Sequence, residues 1–415
     1  MYQDLAVDLS EAEVALKETT HKFAAEVMRP ASLELDKLAN PEDVVAKGSK
    51  FWDVFRQYYE LGQHLVGFPE EIGGVTLSPV ASHIVLEELG WGSADFAVGV
   101  GVAGMPYRSA LFVAQMSNNQ KLMDELVLPF VNDREAKYIG CWAITEAQHG
   151  TDTLISISPE YSASFGPRDA HCRSDGSDWV INGSKSAWVS NGTIATHALL
   201  HMGVENDESA TKGCIAFVPL DLPGVSRGKP LDKLGQRALN QGEIYFDNVR
   251  IPGHYVLMPP ELYTFATDLI LTLANSGMGP MFTGVARAAF EEALAYCKQR
   301  VQGGKLLCEH QLVQRKLFDM FIKVESARYL SRSVMNFNSA QQLPLSRMAV
   351  ATKIYCTQVA FEVAGDALQL FGGMGLSKGT VVEKLFRDAR AALIEDGVND
   401  ALALAVSPQL IASYI

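Results

Sequence analysis

The hydrophobic period of this chain changes twice, and that change constrains its fold more than any other feature. From about Leu9 to Asn132 apolar residues recur at helical spacing, with breaks near Pro69 to Gly74 and at Met105-Pro106. From Tyr138 to about Pro252 short β-rich runs (YIGCWAI, WVING, CIAFVPL, EIYFDNVRI) are separated by Gly, Asp, Asn and Ser clusters. After Pro252 the helical period returns and persists to the end. A 3.6-residue period puts an apolar stripe on a helix, and short runs between turn residues read as strands. Helix, then sheet, then helix excludes the alternation of a doubly wound fold, and no fixed-period repeat supports a solenoid. The chain reads as a multidomain α+β protein: an N-terminal α-helical domain over 1–137, a middle β-domain over 138–252 and a C-terminal helical bundle over 253–415.

Local signals refine this. Ser10 with Glu13 forms a capping-box pattern that opens the first helix. Asn182-Gly183 and Asn191-Gly192 are hairpin-type dipeptides. The stretches Met281 to Arg300 and Leu312 to Phe337 read as amphipathic helices.

Charge and composition narrow the function classes. With 35 Lys+Arg against 48 Asp+Glu and a net charge of −13, the chain lacks the basic face that a nucleic-acid partner needs. A local Arg or a helix N-terminus can still hold a small anionic molecule. The six cysteines are scattered without a CxxC pair and read as reduced thiols. The nine histidines are dispersed, and no cluster has metal-ligand spacing, so no metal is expected. No uninterrupted apolar run reaches the roughly 18 residues of a membrane helix. The N-terminal MYQDLAVDLSEAE is acidic where a targeting peptide is basic. The expectation is a soluble, cytoplasmic protein with no membrane partner.

Three segments carry candidate chemistry, each with a plainer alternative. The run from Gly99 to Gly104 matches GxGxxG, but it follows a helical segment and ends at Met105-Pro106. A dinucleotide loop needs a preceding strand, so this is a helix of small residues that leaves room beside it. The run CWAITEAQHGTD (141–152) alternates like a strand and then turns, and Trp188-Val-Ser190-Asn191-Gly192 is a second aromatic-plus-hydroxyl group. Two such groups in one β-domain fit a flat aromatic cofactor; ordinary β-edges with loops are the alternative. In the C-terminal part, Gly372-Gly373 and Gly375 follow a long helix, Arg387-Asp388 reads as a structural ion pair, and Glu395-Asp396-Gly397 puts two carboxylates beside a hinge. A solvated helix end is the alternative for that last group.

In order, these segments resemble the acyl-CoA dehydrogenase family over nearly the whole chain. The family's TEPxxGSD region stands here as Thr145 to Asp152, and its WITNG as Trp188 to Gly192. KLGxR followed by FDxVxVP stands as Lys233 to Arg237 and Phe246 to Pro252. RxxFG…HQ runs from Arg300 to Gln311, and Gln369 to Gly375 with Arg387-Asp388-Ala389 complete the set. The resemblance implies a β-barrel-like middle domain, a C-terminal four-helix bundle and FAD bound between them. It implies that Trp142, Ile144, Thr145, Gly150, Thr151, Trp188 and Ser190 contact the flavin half. By the same resemblance Arg300, Gln311, Gln369, Gly372 and Gly373 are expected to hold the pyrophosphate and adenosine from a neighbouring subunit, which implies a homo-oligomer, usually a tetramer. Val398 and Asp400 fall on the cofactor side, and Asp95, Val98, Gly101, Thr151, Asn275 and Gly397 on the acyl-CoA side. The implied reaction is α,β-dehydrogenation of a thioester, in which a carboxylate removes the α-proton and a hydride leaves the β-carbon. Electrons then pass to electron-transferring flavoprotein.

The departures bear on the substrate. Counting nine residues on from Arg387 places the family's base, usually Glu in a YEGT stretch, at Asp396. The alternative base position is Ala274, its Arg neighbour is Asn275, the aromatic before the base is Glu395, the Thr after it is Val398, and the Phe of RxxFG is Gly303. The acyl-pocket helix, Ala94 to Val102, is small and apolar at Ala97, Val98, Gly99 and Gly101. A shorter base and a roomier wall point to a bulky, cyclic or branched acyl group. Asp95 is a second candidate acid, with a structural role as its alternative. A flavin oxidase or monooxygenase on the same fold, or an FAD-binding homologue without turnover, are the competing functions.

Overall fold

The computed structural model describes residues 9–155, 168–205 and 213–414; the first eight residues of the acidic N-terminal segment lie outside them. The expected order holds among these residues: helices up to Val131, strands from Gly140 to Met258, and helices again from Tyr263. Spatially the chain divides into two units, each assembled from three stretches. A helical unit takes 1–36, 77–97 and 273–393; a sheet-containing unit takes 37–76, 98–272 and 394–415.

In the helical unit, Ser10 caps Glu11–Phe23 through the expected box, with the Glu13 carboxylate returning to the Ser10 N–H at 2.9 Å. The helix Pro79–Gly92, capped by Ser78, crosses the long helix Tyr263–Cys297 at touching backbones. A Cβ on Gly90 would sit 1.9 Å from the Met281 carbonyl oxygen, and one on Gly284 2.0 Å from that of Glu87. That closeness buries charge. Arg287 bonds Glu87 at 2.7 Å and Glu88 at 2.5 Å, and Arg328 from Gln311–Ser339 bonds Glu87 at 2.8 Å. Burial pushes the Glu87 carboxyl up, but Arg328 and Arg287 outweigh it and hold it well below the usual range. The expected amphipathic helix from Met281 is corrected here, because positions 278–290 are buried on every side. Arg387-Asp388 is corrected too. Arg387 pairs with Asp36 at 2.6 Å and Glu383 at 2.5 Å, whereas Asp388 pairs with Lys384 at 2.5 Å.

The second unit is organised by a sheet of eight strands: β1 Gly140–Ala143, β2 His171–Asp175, β3 Asp178–Lys185, β4 His197–Val204, β5 Cys214–Pro219, β6 Val225–Arg227, β7 Ile244–Pro252 and β8 Val256–Met258. Their order is β6-β7-β3-β2-β4-β5-β8, with β1 pairing β4. β4 is the hub. It takes β1 and β2 in parallel along successive portions and β5 antiparallel. The hairpin between β2 and β3 turns at Gly176-Ser177, between paired Asp175 and Asp178. Asn182-Gly183, expected at a hairpin turn, instead lies inside β3 at a register shift against β7. There the Asn182 side chain accepts from the N–H of Asn248, itself at φ +51°, so the dipeptide makes a bulge.

Two helical stretches, Ala94–Ser117 and Pro260–Cys297, are long and apolar enough to cross a membrane, but 61% and 67% of their apolar windows are buried inside the protein. That burial is the mark of core helices. All six cysteines are free thiols, five of them buried.

Candidate active site

β1 is buried along its whole length and continues into Ile144 and Thr145. It carries Trp142, whose indole N–H donates to Nε2 of His201 on β4 at 3.0 Å. The Thr145 carbonyl accepts from the Ser186 N–H at 3.0 Å, which brings the segment 186–190 alongside. Behind them Lys185 is fully buried and donates to the Ile144 carbonyl (3.2 Å) and to Glu146 (2.5 Å). Burial draws the Lys185 ammonium down to about 8, against the opposing pull of Glu146. Glu146 also accepts from the Asp169 N–H at 2.7 Å.

The loop then closes on itself. Glu146 and His149 exchange backbone bonds of 2.8 and 3.3 Å, His149 Nδ1 meets Asp152 at 2.9 Å, and the Gly150 N–H donates to Asp152 at 2.5 Å. Thr151 opens the short helix Thr151–Leu154. Across from it, Trp188 is 57% exposed, while Gln241 bonds the Trp188 carbonyl (3.2 Å) and the Ser190 hydroxyl (3.3 Å). Asn191, at φ +63° and fully buried, donates to the carbonyls of Gly99 and Gly140 at 2.9 and 3.1 Å. The small-residue segment is the helix Ala94–Ala103. Val98 is buried in it, and a Cβ on Gly101 would meet nothing within 4 Å.

The carboxylate pair lies in the same unit. The helix Val381–Ala392 ends, and the chain turns through Glu395 and Asp396 into the helix Asn399–Ser413. Asp396 is half-buried at φ +51°, followed by Gly397 at φ +101°. A side chain on Gly397 would be strained and would press within 2.7 Å of Leu402. Among the bonds that hold this turn are Gln236 Nε2 to Glu395 Oε1 at 2.6 Å and the Val398 N–H to the Thr151 hydroxyl at 3.0 Å. Asp400 is exposed in the first turn of the final helix, where a carboxylate complements the helix dipole. The turn therefore brings Asp396, Gly397 and Val398 to the Thr145–Asp152 loop through Thr151.

The remaining candidates belong to the helical unit. Arg300, Gln311, Gln369, Gly372 and Gly373 are all exposed, and Gly372 ends its helix at φ +60°. A Cβ on either Gly372 or Gly373 would meet open space. Asn275 is fully buried. Asp95 is corrected as a substrate contact. It has no exposed surface, and its carboxylate accepts from Ser32 and Lys384, each at 3.0 Å. A carboxylate already paired and sealed in this way serves structure. Gln236, Asn191 and His201 were not assigned site roles by the sequence. Gln236 carries a signal as the variable position of the KLGxR motif and Asn191 as part of the Trp188–Gly192 group, whereas His201 carries none.

Family models for acyl-CoA dehydrogenase N-terminal, middle and C-terminal domains match residues 10–122, 141–249 and 271–411. The chain is 30% identical over 412 residues to the short-chain specific acyl-CoA dehydrogenase of Bos taurus mitochondria, covering 99% of this chain and 92% of the relative. The rat protein of the same name is 29% identical over 413 residues, with the same coverage. Among solved structures, butyryl-CoA dehydrogenase from Megasphaera elsdenii superposes with a TM-score of 0.83 at 23% identity, over 98% of this chain and 100% of that one. Glutaryl-CoA dehydrogenase from Mycobacterium smegmatis gives 0.82 at 23% identity, over 98% and 96%.

Proposed function

Since the chain belongs to the acyl-CoA dehydrogenase family, we propose that it desaturates a bulky, cyclic or branched acyl-CoA thioester, with Asp396 taking the α-proton. FAD, when bound, supplies the acceptor for the hydrogen leaving the β-carbon. The residues present fit that cofactor. The exposed Trp188 indole offers a flat apolar face, with the hydroxyls of Thr145 and Ser190 on the paired segments beside it. The exposed Arg300, two side-chain amides and the open Gly372-Gly373 backbone offer the cation and donors that a pyrophosphate needs.

The observation that carries the reading is the Val398–Thr151 hydrogen bond. It attaches the turn bearing Asp396 to the loop 145–152, so the base and the cofactor-facing loop are held as one body. A general base must be fixed relative to the carbon it deprotonates, and a displacement of about 1 Å can cost about 10²-fold. Asp is one methylene shorter than Glu and so reaches less far. The open space at Gly101 supports an acyl group broad enough to bring its α-carbon to the base. The exposed Arg300 and Gln311 support a cofactor site shared with a second subunit, hence a homo-oligomer, a tetramer as is usual in the family, with electron-transferring flavoprotein as the proposed acceptor.

The test is anaerobic bleaching of the purified yellow protein across straight, branched and alicyclic acyl-CoA esters. Asp396→Asn should keep its FAD and lose at least about 10²-fold in bleaching rate, because the amide cannot accept the proton. Near-normal bleaching by Asp396→Asn would remove Asp396 as the base.

A further inference from the structure

We infer that Glu395 and Gln236 are positioning residues: a clasp that sets the turn carrying Asp396 and thereby the reach of the base. The inference rests on the proposed role of Asp396 and deepens it.

Three observations converge. First, Asp396 and Gly397 are consecutive left-handed residues, at φ +51° and +101°. A non-glycine residue in that region persists only where its surroundings over-determine it. Second, the turn is held from both sides. Val398 is tied to Thr151 at 3.0 Å after the base, and Glu395 to Gln236 at 2.6 Å before it. With the donor an amide and the acceptor a carboxylate, the second tie is a charge-assisted bond. Third, the donor end of the clasp is itself rigid. Gln236 is 1% exposed and sits at φ +48°, and its carbonyl accepts from the Leu239 N–H at 2.9 Å. The next residue, Arg237, is anchored to Asp232 (2.6 Å) and to the Leu38 carbonyl (2.7 Å). A carboxylate bonded to such a donor cannot swing without moving the backbone next to the base.

The alternative is that Glu395 only helps dock the last helix. The two accounts separate in kinetics, because docking moves stability and positioning moves kcat. The experiment compares FAD-loaded Glu395→Ala, Glu395→Gln, Gln236→Leu and the Ala/Leu double variant with the unaltered enzyme, on the acyl-CoA ester that bleaches it fastest. Measured for each are kcat, KM, FAD content, Tm and the isotope effect with α-deuterated substrate. Expected for Glu395→Ala and Gln236→Leu is a kcat lower by roughly 10- to 100-fold, a larger α-deuterium effect, and unchanged KM and FAD content, measured at a temperature well below a Tm that falls only by what one lost buried bond costs. Glu395→Gln keeps an acceptor oxygen and should recover most of kcat. The double variant should be no worse than either single one, the non-additivity of a shared contact. Unchanged kcat in both single variants, a fall in kcat that follows unfolding at the assay temperature or loss of FAD, additive losses in the double variant, or Glu395→Gln as slow as Glu395→Ala would each overturn the clasp. Asp396→Asn in the same series keeps the two claims apart. If it still turns over, the base assignment fails; if it is dead beside a fully active Glu395→Ala, only the clasp fails.

Discussion

The indole N–H of Trp142 donates to Nε2 of His201, and this one bond decides which imidazole nitrogen carries the proton. With Nε2 accepting, the hydrogen stands on Nδ1, 3.3 Å from the Tyr263 hydroxyl. Burial, with Arg168 and Lys185 nearby, holds the ring well below its ordinary value and so neutral. His201→Leu removes a partner from two buried groups and should cost about 2 kcal/mol in urea denaturation. The unfolded chain takes up a proton near pH 6.5 that the folded ring refuses, so the unaltered protein loses stability as pH falls below that value. His201→Leu should show a shallower acid limb. Parallel limbs would mean that the ring titrates in the folded protein.

Lys185 and Glu146 form a buried pair, and breaking one side should hurt more than replacing both. Lys185→Met leaves a sealed carboxylate without its cation, a loss of about 3–5 kcal/mol; adding Glu146→Gln should return much of it. The pH trend is distinctive. The folded Lys185 titrates at about 8, below the ordinary 10.5. Its protonated form is thus a burden on the fold below pH 8, relieved as pH rises from 8 towards 10.5. Denaturation of the unaltered protein should gain on Lys185→Met across that window; a constant difference would show that Lys185 stays charged.

Glu87 behaves in the opposite sense. Its folded carboxyl titrates well below 4.5, so its contribution is complete above pH 4.5 and is lost as pH falls through the folded value. Glu87→Gln should lower stability by about 3 kcal/mol at neutral pH, since Arg287 and Arg328 lose the negative charge they share. Calorimetry below pH 4.5 should show the gap narrowing. A gap that widens in acid would contradict the assignment.

Gly101→Leu fills the open space on the helix Ala94–Ala103. It should depress kcat/KM for cyclic and branched esters more than for butyryl-CoA. Tm should hold or rise, because replacing a mid-helix glycine gains roughly 0.5–1 kcal/mol. Equal losses on every ester would mean that this face does not touch the acyl group.

Much of this was legible in the chain itself, for identifiable reasons. β7 alternates cleanly enough to be read from period alone, with a slip where Asp247 and Asn248 both face solvent. β4 escaped notice although it is the hub, because it is buried on both faces and built from His, Ala, Leu and Met, with no β-branched residue before Val204. β8 is three residues long and falls past the expected boundary at 252. Asp396 and Thr151 could be named from motifs, but their link through Val398 joins residues 247 positions apart. The same holds for Glu87 with Arg328 and for Glu395 with Gln236: each side chain reads alone as an ordinary surface charge or amide, and only the fold pairs them.

The division of the chain into interleaved stretches governs how it can be made. Residues 77–97 need partners from 273–393 before their unit exists, and the sheet unit is completed only by 394–415. A ribosome therefore cannot release one finished unit and then begin the other. Glu87 waits for Arg287 and Arg328, and Thr151 waits for Val398. Closures between such distant stretches are the condition under which nascent chains are slow to settle and most dependent on chaperones. The turn that holds Asp396 joins a unit begun more than three hundred residues earlier, so a chain interrupted between the two is left without it.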